Sequence, residues 1–161
     1  MKIIVISLAT SAARRASAAE QLERIGLDFD FFDAVDGRTA QHELFSRYRE
    51  NQFLIHYGRP ATPGELGCYA SHFLVWQLCV DLAEPLLVLE DDFQLAANFL
   101  DAYNLCDRLI DKYGYIRLQN TLKSKAFVKE KIGEFSVVKY TKPPQGGLCY
   151  ALTPGVAQLF I

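Results

Sequence analysis

The run Pro85-Leu-Leu-Val-Leu89 passes directly into three consecutive carboxylates, Glu90-Asp91-Asp92. A short apolar run without alternation predicts a strand buried on both faces, which requires a sheet covered by helices on both sides. Open α/β sheets bind ligands beyond the carboxyl ends of their strands, and this strand delivers its acids to that edge. Three adjacent acids repel one another unless a hard divalent cation or a cationic group sits among them. Alternate residues at a strand end point the same way, so Glu90 and Asp92 are the expected metal pair while Asp91 faces elsewhere. A solvated acidic turn would carry the same three letters.

The rest of the chain alternates in the same style. Residues 2 to 8 form a β-branched run, followed by Thr10-Ser11 as helix caps, a helix from Ala12 to Ile25 and Gly26 as its stop. Phe29 to Val35 reads as a second strand closing on the turn pair Asp36-Gly37. Strand, helix, strand is the opening unit of a parallel sheet. Thr39 to Tyr57 reads as one short helix and a loop. Thr62-Pro63-Gly64-Glu65 combines an N-cap, a proline at the first helical position and a capping-box glutamate, and predicts a helix to about Leu82. Glu65, Tyr69, His72 and Trp76 share one face of it. A helix over Phe99 to Tyr113 ends at Gly114, and strands follow at Tyr115 to Leu118, Phe135 to Tyr140 and Leu148 to Leu152. Thr153-Pro154 starts a last helix, and the expectation is one domain over 1–161, incomplete at its carboxyl end.

With 17 basic against 19 acidic side chains, the chain is not built as a general nucleic-acid binder. The average hides a segregation: Asp81 to Asp111 holds eight acids and one base, Lys112 to Lys142 eight bases and two acids. That polarity suits a cleft with an acidic wall beside a basic lip, or two solvated faces of opposite sign. Cys68, Cys79, Cys106 and Cys149 contain no CxxC pair and read as small core residues of a reducing compartment. No run is long enough for a transmembrane segment, so the expected location is cytoplasmic, with at most peripheral membrane contact.

Four separated segments fall into one pattern: Val5-Ile-Ser-Leu8 with Arg14-Arg15, Phe31-Phe-Asp-Ala-Val-Asp-Gly37, Thr62-Pro-Gly-Glu-Leu-Gly-Cys68 with Ser71-His72, and Leu87-Val-Leu-Glu-Asp-Asp92. Their order, spacing and residue types resemble the family 25 glycosyltransferases, which include the bacterial galactosyltransferases that build lipooligosaccharide. The likeness extends through Gln145-Gly-Gly-Leu-Cys-Tyr150. The resemblance implies a Rossmann-like type A glycosyltransferase fold, a mixed, mostly parallel sheet flanked by helices. It also implies transfer of a hexose, most often galactose, from a UDP-sugar donor to a lipid-linked oligosaccharide acceptor. Glu90-Asp91-Asp92 would take the place of the fold's acidic metal motif, with Mn²⁺ or Mg²⁺ on Asp92 and Glu90.

On that resemblance Ser7, Leu8, Arg14, Arg15, Asp36, Glu65 and Ser71 are candidates for donor binding, and His72 and Asp91 for catalysis. Gln145, Gly146 and Gly147 would form an acceptor-side loop. Glu65 has a complete alternative explanation as a helix cap, His72 as a hydrogen-bonded core histidine, and Trp76 is most simply core. An inverting transferase needs a general base, and no carboxylate here is assigned that role; Gln119-Asn120 stands where an acid could have served. A relative that binds nucleotide without turnover is the alternative reading. A receiver-type phosphoryl-transfer domain is disfavoured by Phe93-Gln94 after the acids.

Overall fold

A computed structural model describes residues 1–39, 41–119, 125–142 and 146–161. Five strands form the main sheet: β1 (Lys2–Ser7), β2 (Asp30–Asp33), β3 (Leu86–Glu90), β4 (Tyr115–Arg117) and β7 (Cys149–Leu152), in the order β2-β1-β3-β7-β4. β1 pairs parallel with β2 and β3, while β7 runs antiparallel between β3 and β4. This is the mixed, mostly parallel α/β sheet expected of a type A glycosyltransferase. The helices are α1 (Ala12–Arg24), α2 (Glu50–Tyr57), α3 (Pro63–Leu82), α4 (Phe99–Tyr113) and α5 (Pro154–Phe160).

Period-two alternation along β1 and β3 divides their apolar residues between two cores. Ile3, Val5, Leu87 and Leu89 pack with Leu22 of α1 and Ile110 of α4. Ile4, Ile6, Leu86 and Val88 pack on the other side with Val75 and Cys79 of α3 and Ala157 of α5. Helices on both faces explain why the Leu86 to Leu89 run shows no polar alternation; all four residues are 0% exposed. The register aligns Ser7 with Asp33 and Ile6 with Glu90, so three parallel strands end along one edge.

Local chemistry sets most boundaries. Thr62 caps α3 in a full capping box with Glu65, and Gly114 ends α4 at φ 72°. Ser11 stands at the N-cap of α1 as expected, but its side chain makes no capping hydrogen bond. The Thr39 to Tyr57 stretch contains two helical pieces rather than one, a 3₁₀ turn (Glu43–Arg47) before α2. That turn buries Leu44 against Ala70 and Phe73 of α3.

One element was not expected from the sequence. β5 (Ala126–Ile132) pairs with β6 (Phe135–Tyr140) as a separate hairpin whose two-residue loop begins at Gly133, φ 59°. Its alternating lysines and glutamate mask the strand pattern because most of β5 is exposed. Glu130 ties the hairpin to α4 through Lys112 Nζ and Tyr113 Oη, both at 2.6 Å. Among the described residues no helix is long and apolar enough to cross a membrane.

Candidate functional site

Beyond the carboxyl ends of β1 and β3 the chain leaves a cleft of ≈ 200 Å³, closed laterally by the 34–38 turn after β2 and by the first turns of α3. Its position follows from topology: β1 to β3 share direction, and the connections leaving them splay apart. The turn is held tight against the helix by two glycines. A Cβ on Gly37 would meet Pro63 O at 1.8 Å, and one on Gly67 would meet Val35 O at 2.4 Å. Ser71 fastens the same contact, accepting from Val35 N at 2.9 Å and donating to Gly67 O at 2.7 Å.

Each of the three acids has a different environment. Asp91 accepts from Ser7 Oγ at 2.7 Å and from Arg14 Nη1 at 3.0 Å, so both its oxygens are engaged and its side chain is only 9% exposed. Glu90 Oε1 faces His72 Nε2 at 3.0 Å, with Cys68 Sγ at 3.9 Å. Glu90 Oε2 and both oxygens of the exposed Asp92 have no hydrogen-bond partner among the described residues. All three acids line the cleft. The expectation that Asp91 faces elsewhere is therefore corrected: it lines the same space, but its charge is answered by an arginine and a hydroxyl.

The other candidates divide into those at the cleft and those beside it. Ser7, Leu8, Arg14, Asp36, Ser71 and His72 line it. Arg15 does not; it lies over the Phe31 ring, donates to the Ser7 and Leu8 carbonyls and pairs with Asp33, bracing the end of β1. Glu65 also lies outside, its carboxylate occupied by the cap and by Arg59 at 2.8 Å. These bonds to Arg59 and Thr62 lower its pKa to about 2. Gly147 packs on the His72–Glu90 contact, where a Cβ would come within 3.1 Å of Glu90 Oε1 and His72 Nε2. Gly146, at φ 100°, approaches Gln119 and Arg117 instead. Gln145 lies outside the described residues, as does Asn120.

Two sequence expectations need correcting. Cys68 is not core: it is exposed on α3 and lines the cleft, where the cleft walls strip water from the sulfur and the Glu90 carboxylate repels a thiolate, raising its pKa to about 11. None of the described basic residues after Lys112 lines this cleft; among the described residues its cationic lining comes from Arg14 and Arg38. The sequence reading also missed Tyr150, whose Oη lies 2.8 Å from His72 Nδ1 and 3.0 Å from Trp76 Nε1. The signal was the i, i+4 spacing of His72 and Trp76, which stacks two polar ring atoms on one helix face.

Among the described residues, four carboxylates against two guanidinium groups give the lining a formal excess of two negative charges, which one divalent cation would balance. The free oxygens of Glu90 and Asp92 are hard donors of the kind Mn²⁺ or Mg²⁺ takes, so the donor set suits such an ion by its chemistry. A second cluster, Cys68, His72 and Glu90, has one ligand atom from each residue within 4.8 Å of the others. Its sulfur and nitrogen suit a softer metal, and both ring nitrogens of His72 already have hydrogen-bond partners.

A profile described as glycosyltransferase family 25, LPS biosynthesis protein, matches residues 1–160. The chain belongs to glycosyltransferase family 25. Its similarity to individual members is moderate. It is 37% identical over 103 residues to a glycosyltransferase 25 family member of Aedes aegypti, covering 60% of this chain and 17% of that protein. It is 32% identical over 95 residues to the lipooligosaccharide biosynthesis protein lic2B of Haemophilus influenzae, covering 58% of this chain and 34% of that one. The inactive glycosyltransferase 25 family member 3 of Mus musculus is 34% identical over 105 residues, 61% of this chain and 17% of its own length. The matched region thus spans between 17% and 34% of these family 25 relatives. The family includes members named inactive, so membership alone does not establish turnover.

Proposed function

We propose that this family 25 chain forms one donor-binding domain that moves a hexose, galactose in the first instance, from a UDP-sugar to a lipooligosaccharide or lipopolysaccharide acceptor. The observation that carries the reading is the cleft at the ends of β1 and β3, lined by Glu90 and Asp92 with unpartnered oxygens and by Arg14, which is paired with Asp91. Its ≈ 200 Å³ is less than the roughly 300–1,000 Å³ typical of small-molecule sites, a size suited to part of a nucleotide sugar.

In this reading Asp36 and the Ser7-Leu8 strand end meet the nucleoside, and Arg14, oriented by Asp91, meets the diphosphate. Glu90 and Asp92 would hold Mn²⁺ or Mg²⁺. A divalent cation there supplies charge that offsets the negative charge growing on the departing diphosphate. His72 keeps Glu90 in place from behind. A lipid-linked acceptor agrees with the similarity to lic2B and with exposed Lys125, Lys129 and Lys131, which would favour an anionic partner or a peripheral position at the inner membrane face.

Titration calorimetry tests the donor site. Uridine diphosphate should bind only with Mn²⁺ or Mg²⁺ present, and Asp92→Asn should abolish that metal-dependent binding; equal binding in chelator would overturn the metal-linked site. A second reading, a nucleotide-binding relative without turnover, draws on the comparable similarity to the inactive mouse protein. Release of free galactose or its transfer from UDP-galactose distinguishes the two.

A further inference from the structure

Behind the acidic corner the structure contains an ordered series of polar groups, of which the donor-site reading uses only the His72–Glu90 end: Trp76 Nε1, Tyr150 Oη, His72 Nδ1, His72 Nε2 and Glu90 Oε1, at successive separations of 3.0 Å, 2.8 Å and, beyond the ring, 3.0 Å. Its members come from three elements. His72 and Trp76 are one helical turn apart on α3, Tyr150 lies on β7 opposite Val88, and Glu90 ends β3. Tyr150 is 3% exposed and His72 8%, so water does not supply missing partners.

The direction of this series follows from donor and acceptor counting. An indole nitrogen only donates, so Tyr150 Oη accepts from Trp76. The phenolic hydrogen is buried and needs an acceptor of its own, and among the described residues His72 Nδ1 is the one within reach. Burial keeps the phenol protonated by pushing its pKa up. With Nδ1 accepting, the neutral imidazole carries its proton on Nε2, where it donates to Glu90 Oε1. The opposite tautomer would leave the phenolic hydrogen buried without a partner and aim a lone pair at a carboxylate.

We propose that Tyr150, itself oriented by Trp76, is a positioning residue that fixes the Nε2–H tautomer of His72 and thereby holds Glu90 with Oε2 turned into the cleft. This use of Oε2 rests on the donor-site reading; the tautomer does not. Gly147 belongs to the same device, since any side chain there would press on the His72–Glu90 contact. The arrangement also disfavours a soft metal at Cys68, His72 and Glu90, because coordination through Nε2 would move the ring proton to Nδ1 and leave the buried phenolic hydrogen of Tyr150 without its acceptor.

The experiment is ¹⁵N NMR of the histidine rings in the intact chain, which separates a protonated from an unprotonated ring nitrogen. Wild type should give His72 with Nδ1 bare and Nε2 protonated. The pattern should persist in Glu90→Gln, whose amide can donate or accept, and should dissolve into a mixture when Tyr150→Phe is added. An Nδ1–H signal in wild type overturns the proposal without any variant, and so does retention of a single tautomer in the double variant. Tyr150→Phe alone should weaken Mn²⁺-dependent uridine diphosphate binding roughly ten- to a hundredfold, and should have no further effect on top of Glu90→Gln. If the wild type binds no uridine diphosphate, the donor-site reading fails while the ring signals still decide the tautomer.

Discussion

Ser7 Oγ donates to Asp91 Oδ2 at 2.7 Å, joining the end of β1 to the residue just beyond β3 across 84 positions of sequence. Ser7 is 2% exposed, and without the carboxylate its hydroxyl keeps only the poorer acceptor Leu8 O at 3.3 Å. Arg14, on the other oxygen, has a 62% exposed side chain and its share is screened by solvent. Asp91→Ala should therefore destabilise the protein by about 1.5–3 kcal/mol in urea unfolding, mostly through Ser7, while Asp91→Asn, which keeps an acceptor, should lose less. Equal midpoints for the two variants would mean that the hydroxyl is not held by this bond.

The cleft wall depends on two backbones touching. Gly37 and Gly67 face each other across the junction of the 34–38 turn with α3, and Gly67 Cβ would lie 2.7 Å from Gly37 N. Backbone atoms have no rotamer to escape into, so Gly37→Ala and Gly67→Ala should each cost about 1–3 kcal/mol or more, read as a lowered urea midpoint. Gly64→Ala, whose Cβ would meet only Thr62 Oγ1 at 4.0 Å, is the control and should stay near wild type.

What could be read in the sequence was what short-range chemistry fixes. The Thr62 capping box, the Gly114 stop and the doubly buried β3 each depend on a few neighbouring residues, and each stands as expected. β5 escaped because a strand exposed to solvent has no apolar alternation to display. At the site, residue types were legible but their pairings were not. The partners of Glu90 and Asp91 come from elements 18 to 84 positions away, and only the fold decides that Asp91 meets Ser7 while Glu90 meets His72. Cys68 was misread for the same reason: an apolar helical context does not reveal which face opens on the cleft.

Acid should loosen the start of α3. The Glu65 carboxylate is held by Arg59 and the Thr62 N–H, and its pKa falls from 4.5 to about 2 on folding. A depressed carboxylate stabilises the fold fully above the unfolded value and loses that contribution as pH drops toward about 2. Glu65→Gln should flatten stability against pH between 4.5 and 2, and salt should reduce the difference because the pair is exposed. Thr62→Ala should cost about 1 kcal/mol through loss of the cap. Identical acid limbs for wild type and Glu65→Gln would sink this account.

Cys68 offers a probe of the cleft that needs neither donor nor metal. Cys79, Cys106 and Cys149 are buried, so alkylation of the folded chain should modify one thiol. The Cys68 thiolate is disfavoured first by lost hydration and then by Glu90, moving its pKa from 9.0 to about 11. At pH 8 its thiolate population, and with it the rate with iodoacetamide, should fall on the order of a hundredfold below that of an ordinary cysteine. Glu90→Gln removes the repulsion but not the desolvation, so the rate should rise several-fold without reaching the ordinary value. A Cys68 that reacts at the ordinary rate in wild type, or is indifferent to Glu90→Gln, would show that sulfur and carboxylate do not share the cleft wall as described.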